Sequence, residues 1–405
     1  MLGLIVNPVA GVGGPAGLAG SDGAAVQRRA ADLGARPRAA ERARRALEVV
    51  ADAAVDGATD GSRVVLTAGG PLGEHAVLAA GLEPRVVYEA RAPEAGAMLA
   101  TTSADTTAAA RALVAAGATL VLFAGGDGTA RDVAAGLADE PVAALGIPAG
   151  VKMYSPVFAV SPRAAGALAA AWDASSSRLP VQEREVLDID EAELGRTRVE
   201  PRLHAMMRVP FRAGRTQARK AATPAGEQSA VVAAARGAVQ AMRPGIRYLL
   251  GPGGTMSEVA RQLGVAKTPL GVDVVLDGRV LLAGASEQGL LDEVSRGPAA
   301  AVVTVIGGQG FLLGRGNQQL SARVLDRLGE RPLIVVAPEQ KLIDLGGRPL
   351  LVDTGDPALD TRLAGFATVI TGTGTTSVYP VRAPDAPSEP PASEPLEIEG
   401  EGHAP

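Results

Sequence analysis

One unit recurs along this chain and limits what it can fold into: a short apolar run that stops at a glycine-rich loop. Leu2 to Val6 stops at Asn7-Pro8 and a loop from Gly11 to Gly23. Arg63 to Thr67 stops at Gly69-Gly70-Pro71, Thr119 to Ala124 at Gly125-Gly126, and Val142 to Ile147 at Pro148-Ala-Gly150. Arg85 to Tyr88 is a further strand. Between these runs, Arg38 to Ala54, Asp105 to Ala116 and Thr129 to Leu137 repeat their apolar residues at helical spacing. Short β-branched runs alternating with helices predict a parallel sheet covered on both faces. The first 174 residues therefore read as one α/β domain.

The pattern breaks after Trp172. Ser175-Ser176-Ser177 reads as a linker, Arg184 to Arg212 as charged and irregular with some strand-like alternation, and Arg215 to Gln228 as an exposed loop. From Ile246 the unit returns, at Ile246 to Gly254, Ala300 to Gly310, Leu333 to Pro338 and Ala367 to Gly374. A second domain over 175–382, with strands and helices mixed, is expected. From Ala383 the chain is rich in Pro, Glu and Ser, and 383–405 reads as a disordered acidic tail.

Composition removes several classes of function. The chain has 405 residues and a net charge of −5, so it lacks the basic footprint of a nucleic-acid binder. Aromatics are 2%, too few for base-stacking platforms. There is no cysteine, which excludes disulfides, thiolate metal sites and a cysteine nucleophile, and fits a reducing cytoplasm. His75, His204 and His403 are the only histidines, too few for a histidine-rich metal site. The N-terminus has no basic leader, and Leu113 to Gly126 is shorter than the ~20 residues of a membrane span. A soluble cytoplasmic protein is expected. The arginine run Arg42 to Arg45 reads as composition, because lysine occurs only at Lys152, Lys220, Lys267 and Lys341.

The sharpest motif is Leu120 to Thr129, which ends Ala-Gly-Gly-Asp-Gly-Thr. It follows a buried strand and opens a helix, so its glycine amides and the helix N-terminus make an anion site suited to phosphate. Thr129 and Asp132 have the spacing of a capping box. Asp127 is the odd member. Unit charges 4 Å apart repel by about 4 kcal/mol at an effective dielectric near 20, so a carboxylate there opposes phosphate. It fits if it faces Mg²⁺ or accepts a proton from an attacking hydroxyl, both roles in phosphoryl transfer. An aspartate in a strand–helix turn is also an ordinary structural choice.

Other loops offer the same groups more weakly. Asn7 to Gly11, with Gly13, Gly14 and Gly17, lies where ligands of open α/β sheets bind. Gly146 to Lys152 adds a lysine able to reach a phosphate. Gly251-Pro-Gly-Gly-Thr255 precedes a helical pattern, with Thr255 and Glu258 again at capping-box spacing. Gly307-Gly-Gln-Gly310, Gly314 to Gln318 and Thr371 to Thr376 complete the set. Several strand-end glycine loops together favour a nucleotide site in a cleft between the two domains. The acidic run Asp188-Ile-Asp-Glu191 reads as a solvated strand face more than a metal site.

These residues resemble the ATP-NAD kinase family, in the branch that includes the AcoX-type proteins of acetoin gene clusters. The resemblance rests on Gly3 to Gly23 with Asn7-Pro8, Phe123-Ala-Gly-Gly-Asp-Gly-Thr-Ala-Arg-Asp132, Gly146-Ile-Pro-Ala-Gly-Val-Lys-Met153, Gly251-Pro-Gly-Gly-Thr255, and Gly307 to Phe311 through Gly314 to Gln318. It spans roughly Leu2 to Val381. The Gly-Gly-Asp-Gly-Thr loop is shared with diacylglycerol and sphingosine kinases.

The resemblance implies an N-terminal α/β domain, a C-terminal domain of largely β character, and a site between them. The strand–loop–helix pattern beyond Ile246 fits an all-β domain poorly, so a mixed, β-rich one is expected. It also implies transfer of a terminal phosphoryl group from ATP or polyphosphate, with Mg²⁺, to the 2′-hydroxyl of the adenosine ribose in NAD. Asp127 matches the family's proton acceptor. Asn7, Gly11, Gly125, Gly126, Gly128, Thr129, Gly146, Gly150, Lys152, Gly253, Gly254 and Thr255 are the expected nucleotide- and phosphate-binding residues. A homo-oligomer is implied as well. The Asn-Glu pair that helps most NAD kinases hold the dinucleotide has no counterpart, since Asn7 and Asn317 precede no acid. A kinase of another hydroxyl, in a lipid or small metabolite, and a non-catalytic nucleotide-binding regulator are the alternatives.

Overall fold

The computed structural model describes residues 1–18, 24–55, 64–90, 101–138, 140–150, 153–174, 179–188, 202–212, 228–306, 310–330 and 332–385. The N-terminal unit contains, in order, β1 (Leu2–Val6), α1 (Ala24–Asp32), α2 (Ala39–Val55), β2 (Val64–Ala68), α3 (Glu74–Ala79), β3 (Glu83–Tyr88), α4 (Ser103–Ala115), β4 (Leu120–Gly125), α5 (Asp127–Leu137), β5 (Ala143–Pro148) and α6 (Pro162–Ala174). Its strands are all parallel, in the order β3-β2-β1-β4-β5. β1, β4 and β5 are buried at every position, as both-face coverage demands. α2 packs with α6, and α4 with α5. The chain runs outward from β1 to β3, then returns to β4 on the other side of β1. That reversal is a topological switch point at the carboxyl ends of β1 and β4, the place where open α/β sheets bind ligands.

The stretch read as irregular forms an antiparallel ribbon, β6 (Val181–Asp188) and β7 (Arg202–Pro210). Val186, Met207 and Val209 of this ribbon join the first core. Residues 175–178, 189–201 and 213–227, which include the Ser-rich linker, most of the acidic run and nearly all of the exposed-loop reading, lie outside the described residues.

The C-terminal unit continues with α7 (Gln228–Ala241), β8 (Arg247–Leu250), α8 (Gly254–Gln262), β9 (Asp273–Leu276), β10 (Arg279–Leu282), α9 (Glu287–Val294), β11 (Ala299–Val303), β12 (Phe311–Leu313), α10 (Ala322–Arg327), β13 (Leu333–Val336), α11 (Glu339–Ile343), β14 (Leu350–Val352), α12 (Pro357–Leu363), β15 (Gly365–Gly372) and β16 (Thr375–Arg382). These form a mixed nine-stranded sheet, β10-β9-β8-β11-β13-β15-β16-β14-β12. β8, β11, β13 and β15 are mutually parallel. Alternation along the strands splits the interior in two. Leu249, Ala301, Val303 and Val335 face a core with α9 and α10, while Leu250, Val302 and Val336 face α7 and α8. The domain is thus mixed, as its strand–loop–helix pattern predicts.

Two local expectations are corrected, and a third loop takes a form of its own. Thr129 does not cap α5: the helix begins at Asp127 with Gly126 as its N-cap, and the Thr129 hydroxyl is taken by Asn7. Thr255 does not cap α8, which begins one residue earlier, and Glu258 holds Arg261 and Gln262 instead. Thr371 to Thr376 is the reversal between β15 and β16, an antiparallel hairpin with no helix after it. At the other end, Ala383 is buried and the Asp385 carboxylate accepts the Arg163 amide, so the chain stays packed three residues beyond Arg382.

Candidate active site

Asn7 and the first turn of α5 meet at the carboxyl ends of β1 and β4. β1 and β4 pair along their whole length, with Val6 opposite Ala124. Asn7 therefore leaves β1 beside Gly125, and its amide donates to the Ala124 carbonyl at 2.9 Å. The Asn7 side chain binds in two directions. Its Nδ2 donates to Thr129 Oγ1 at 2.9 Å, and its Oδ1 accepts the Val9 amide at 3.2 Å. One asparagine thus ties the first loop to the first turn of α5.

Asp127 opens α5 and is 7% exposed. The chain after β5 folds back over it. The Tyr154 amide donates to Asp127 Oδ2 at 2.6 Å and the Ser155 amide to Oδ1 at 3.1 Å. These two amides fix the plane of the carboxylate. The negative charge also reaches Tyr154: burial pushes its phenol up, and the Asp127 carboxylate adds to the rise. Ser155 is itself held, because its hydroxyl exchanges hydrogen bonds with the Leu187 amide and carbonyl at 2.9 Å. The ribbon strand β6 therefore fixes the segment that fixes Asp127.

Backbone contact closes the loops on one another. The Gly125 carbonyl accepts both the Ala149 and Gly150 amides, at 3.0 and 2.9 Å. A Cβ on residue 150 would stand 2.6 Å from the Gly126 Cα, so only glycine fits there. Gly146 lies against Phe158 and Gly125 against Thr129 at similarly close range. Gly11 abuts the Ala149 carbonyl, and Gly128 lies in the first turn of α5. Lys152 lies outside the described residues.

The C-terminal unit faces this cluster. Gln318 Nε2 donates to the Gly150 carbonyl at 3.3 Å, and a Cβ on Gly14 would touch the Gln318 side chain at 3.0 Å. The Glu287 amide donates to the Pro15 carbonyl at 2.8 Å. Gly253, Gly254 and Thr255 lie on the C-terminal side, at the start of α8. Gly253 caps that helix with φ of 108°, a conformation that favours glycine. A Cβ on Gly316, two residues before Gln318, would stand at van der Waals distance from Pro252, next to Gly253.

Sequence reading missed what clamps the two units together. Arg42 of α2 is 8% exposed and binds both oxygens of Asp353, at 2.5–3.3 Å. Arg315 donates to the same carboxylate at 2.9 Å and to the Val160 carbonyl at 3.2 Å. Burial alone would push Asp353 up, but the two guanidinium groups hold its carboxyl well below the usual carboxylate range. The arginine run is therefore not mere composition: Arg42 is an interdomain ion-pair member.

Among the described residues, no three His, Asp or Glu side chains group as a metal site.

The family models decide the kinship. The ATP-NAD kinase N-terminal domain matches residues 2–173, and the ATP-NAD kinase C-terminal domain matches residues 243–381. The chain belongs to the ATP-NAD kinase family. No curated protein and no solved structure gives a significant match. As a member of this family the chain is a phosphotransferase of kinase type. No helix among the described residues is long and apolar enough to cross a membrane.

Proposed function

We propose that this protein is an NAD kinase that moves the terminal phosphoryl group of ATP or polyphosphate to the 2′-hydroxyl of the adenosine ribose of NAD. The observation that carries the reading is Asp127: a buried carboxylate just past the carboxyl end of β4, oriented by the Tyr154 and Ser155 amides. Asp127 takes the proton of the ribose hydroxyl as its oxygen bonds to the terminal phosphorus. The bond from that phosphorus to the bridging oxygen breaks, and ADP or a shortened polyphosphate leaves with the electron pair. Asn7, Thr129, Gly125, Gly126, Gly128 and Gly150 hold the base in register, and the α8 loop faces phosphate. Mg²⁺ enters as part of the donor complex.

One observation favours a second reading, a kinase of the same fold acting on a different hydroxyl. Asn7 and Asn317 are the chain's only asparagines, and both are spent inside the protein. Asn317 is 2% exposed, accepts the Gly314 amide and donates to the Leu312 carbonyl. Neither precedes an acid, so the Asn-Glu pair expected of an NAD kinase has no counterpart. The test is NADP formation from NAD, Mg²⁺ and either ATP or polyphosphate, read with an NADP-specific dehydrogenase. Product that disappears in Asp127→Asn supports the NAD reading. No product, from protein that binds ATP, transfers the case to another acceptor.

A further inference from the structure

Three neighbouring parallel strands of the C-terminal sheet end side by side. Leu250 of β8 pairs with Val302 of β11, and Val303 of β11 pairs with Val335 of β13. The residues that follow, Gly251, Thr304 and Ala337, therefore leave the sheet at one edge. α8 starts there without a side-chain cap and with no acid in its first turn. Its first helical bond runs from the Ser257 amide to the Gly253 carbonyl. The amides of Gly254, Thr255 and Met256 precede that bond and lack intrahelical acceptors. A Cβ on residue 254 would meet nothing within 4 Å, and Gly254 is exposed, so the space beside the first residue of the helix is open.

Two side chains join the helix end. Thr304 is 4% exposed, and its hydroxyl has no hydrogen-bond partner. Its Cγ2 lies 3.3 Å from where a Cβ on Gly253 would sit, so the side chain stands against the α8 loop. Lys341, in α11 after β13, brings its ammonium to 3.4 Å from Thr255 Oγ1. A buried hydroxyl without a partner is costly and rare, and a ligand that accepts its proton would relieve it. Three amides, two hydroxyls and an ammonium, with the Glu258 carboxylate of the same helix paired to Arg261, are the complement of a polyanion.

We infer that the terminal phosphates of the phosphoryl donor bind at the N-terminus of α8, held by Thr304, Thr255 and Lys341. Donor and base then belong to different domains. This rests on the phosphoryl-transfer reading above. The chemistry recognised is a phosphate chain, which ATP and inorganic polyphosphate share.

The test is calorimetric titration of the full chain with Mg·ATP and, separately, with inorganic tripolyphosphate. Thr304→Val keeps the side-chain shape and breaks no internal hydrogen bond, so its melting temperature should equal or exceed that of the parent. Its Kd for the bound probe should rise about three- to tenfold. Lys341→Met should raise it by at least as much, whereas Asp127→Asn should not weaken it. Tripolyphosphate bound as tightly as ATP assigns an inorganic donor; ATP bound alone assigns the nucleotide. An unchanged Kd in Thr304→Val, or no binding of either probe, overturns the inference. The two readings fail separately. Probe binding that Thr304→Val weakens, with no NADP formed, keeps this site and removes the NAD reading. NADP formation with an unchanged donor KM in Thr304→Val does the reverse.

Discussion

The two domains carry the same device at the same kind of sheet edge and charge it oppositely. In each, a buried parallel strand ends in glycines and a helix begins. α5 starts with Asp127, a carboxylate held by the Tyr154 and Ser155 amides. α8 starts with Gly254 and Thr255, has no acid in its first turn, and has Lys341 beside it. A helix N-terminus attracts anions, but only where no fixed anion already occupies it. On the function and the donor site proposed above, the first edge takes a proton and the second takes phosphate. Fold geometry alone does not decide what a strand–glycine–helix corner binds; one residue of the first turn does.

The largest expected effect lies at the first edge. Asp127→Asn should reduce kcat by about 10²- to 10⁴-fold, the usual worth of a positioned base, or about 3–5 kcal/mol of barrier. The fold should survive, because asparagine keeps one acceptor for the two amides. An undiminished kcat would erase the contrast between the edges. Next comes the clamp that makes the edges face each other. Arg42→Met leaves the Asp353 charge buried with Arg315 as its one remaining guanidinium partner. Breaking a buried pair this way costs about 3–5 kcal/mol, to be read from chemical denaturation. A loss under about 1 kcal/mol would show that the domains are held by other contacts.

How much of this was legible depends on how local the cause is. The apolar runs match β1 at both ends and β4 and β5 within a residue, because burial on both faces leaves continuous apolar runs. α10, α11 and α12 were not read: at 6, 5 and 7 residues they are too short to show a helical period. The capping residues of α5 and α8 were misplaced because glycine caps both, and a glycine cap has no side-chain signature. Asp127 stood out from its neighbours in the chain. Its anchors did not, since they are backbone amides, which every non-proline residue has. Arg42 and Asp353 were invisible as a pair because 311 positions separate them.

A smaller effect tests how tightly the first edge is built. Gly150→Ala places a methyl group 2.6 Å from the Gly126 Cα. The loops must part, which strains the bond from the Gly150 amide to the Gly125 carbonyl. A stability cost of about 1–3 kcal/mol is expected, together with a lower kcat, because Gly126 precedes the base. Wild-type stability and rate would mean that the two loops can separate freely.

The smallest effect concerns the clamp's neighbour, Asp360. Burial pushes its carboxyl up to about 6, against the pull of the Thr354 amide and hydroxyl, which donate to it at 2.8 and 2.7 Å. A carboxyl raised above its unfolded value near 3.9 is most stabilising when protonated. Its contribution is present below about pH 4 and is lost as pH rises through 6. Asp360→Asn keeps an oxygen for both Thr354 bonds and cannot titrate. It should exceed the parent in stability at pH 8 by about 1–2 kcal/mol, and the gap should close as pH falls to about 4. Asp353, with its carboxyl held low, must behave in the opposite sense, losing its contribution only in strong acid. Urea melts of both proteins from pH 4 to pH 8 separate the two carboxylates. A gap that does not change with pH would place the Asp360 titration outside that range and leave the clamp indifferent to pH.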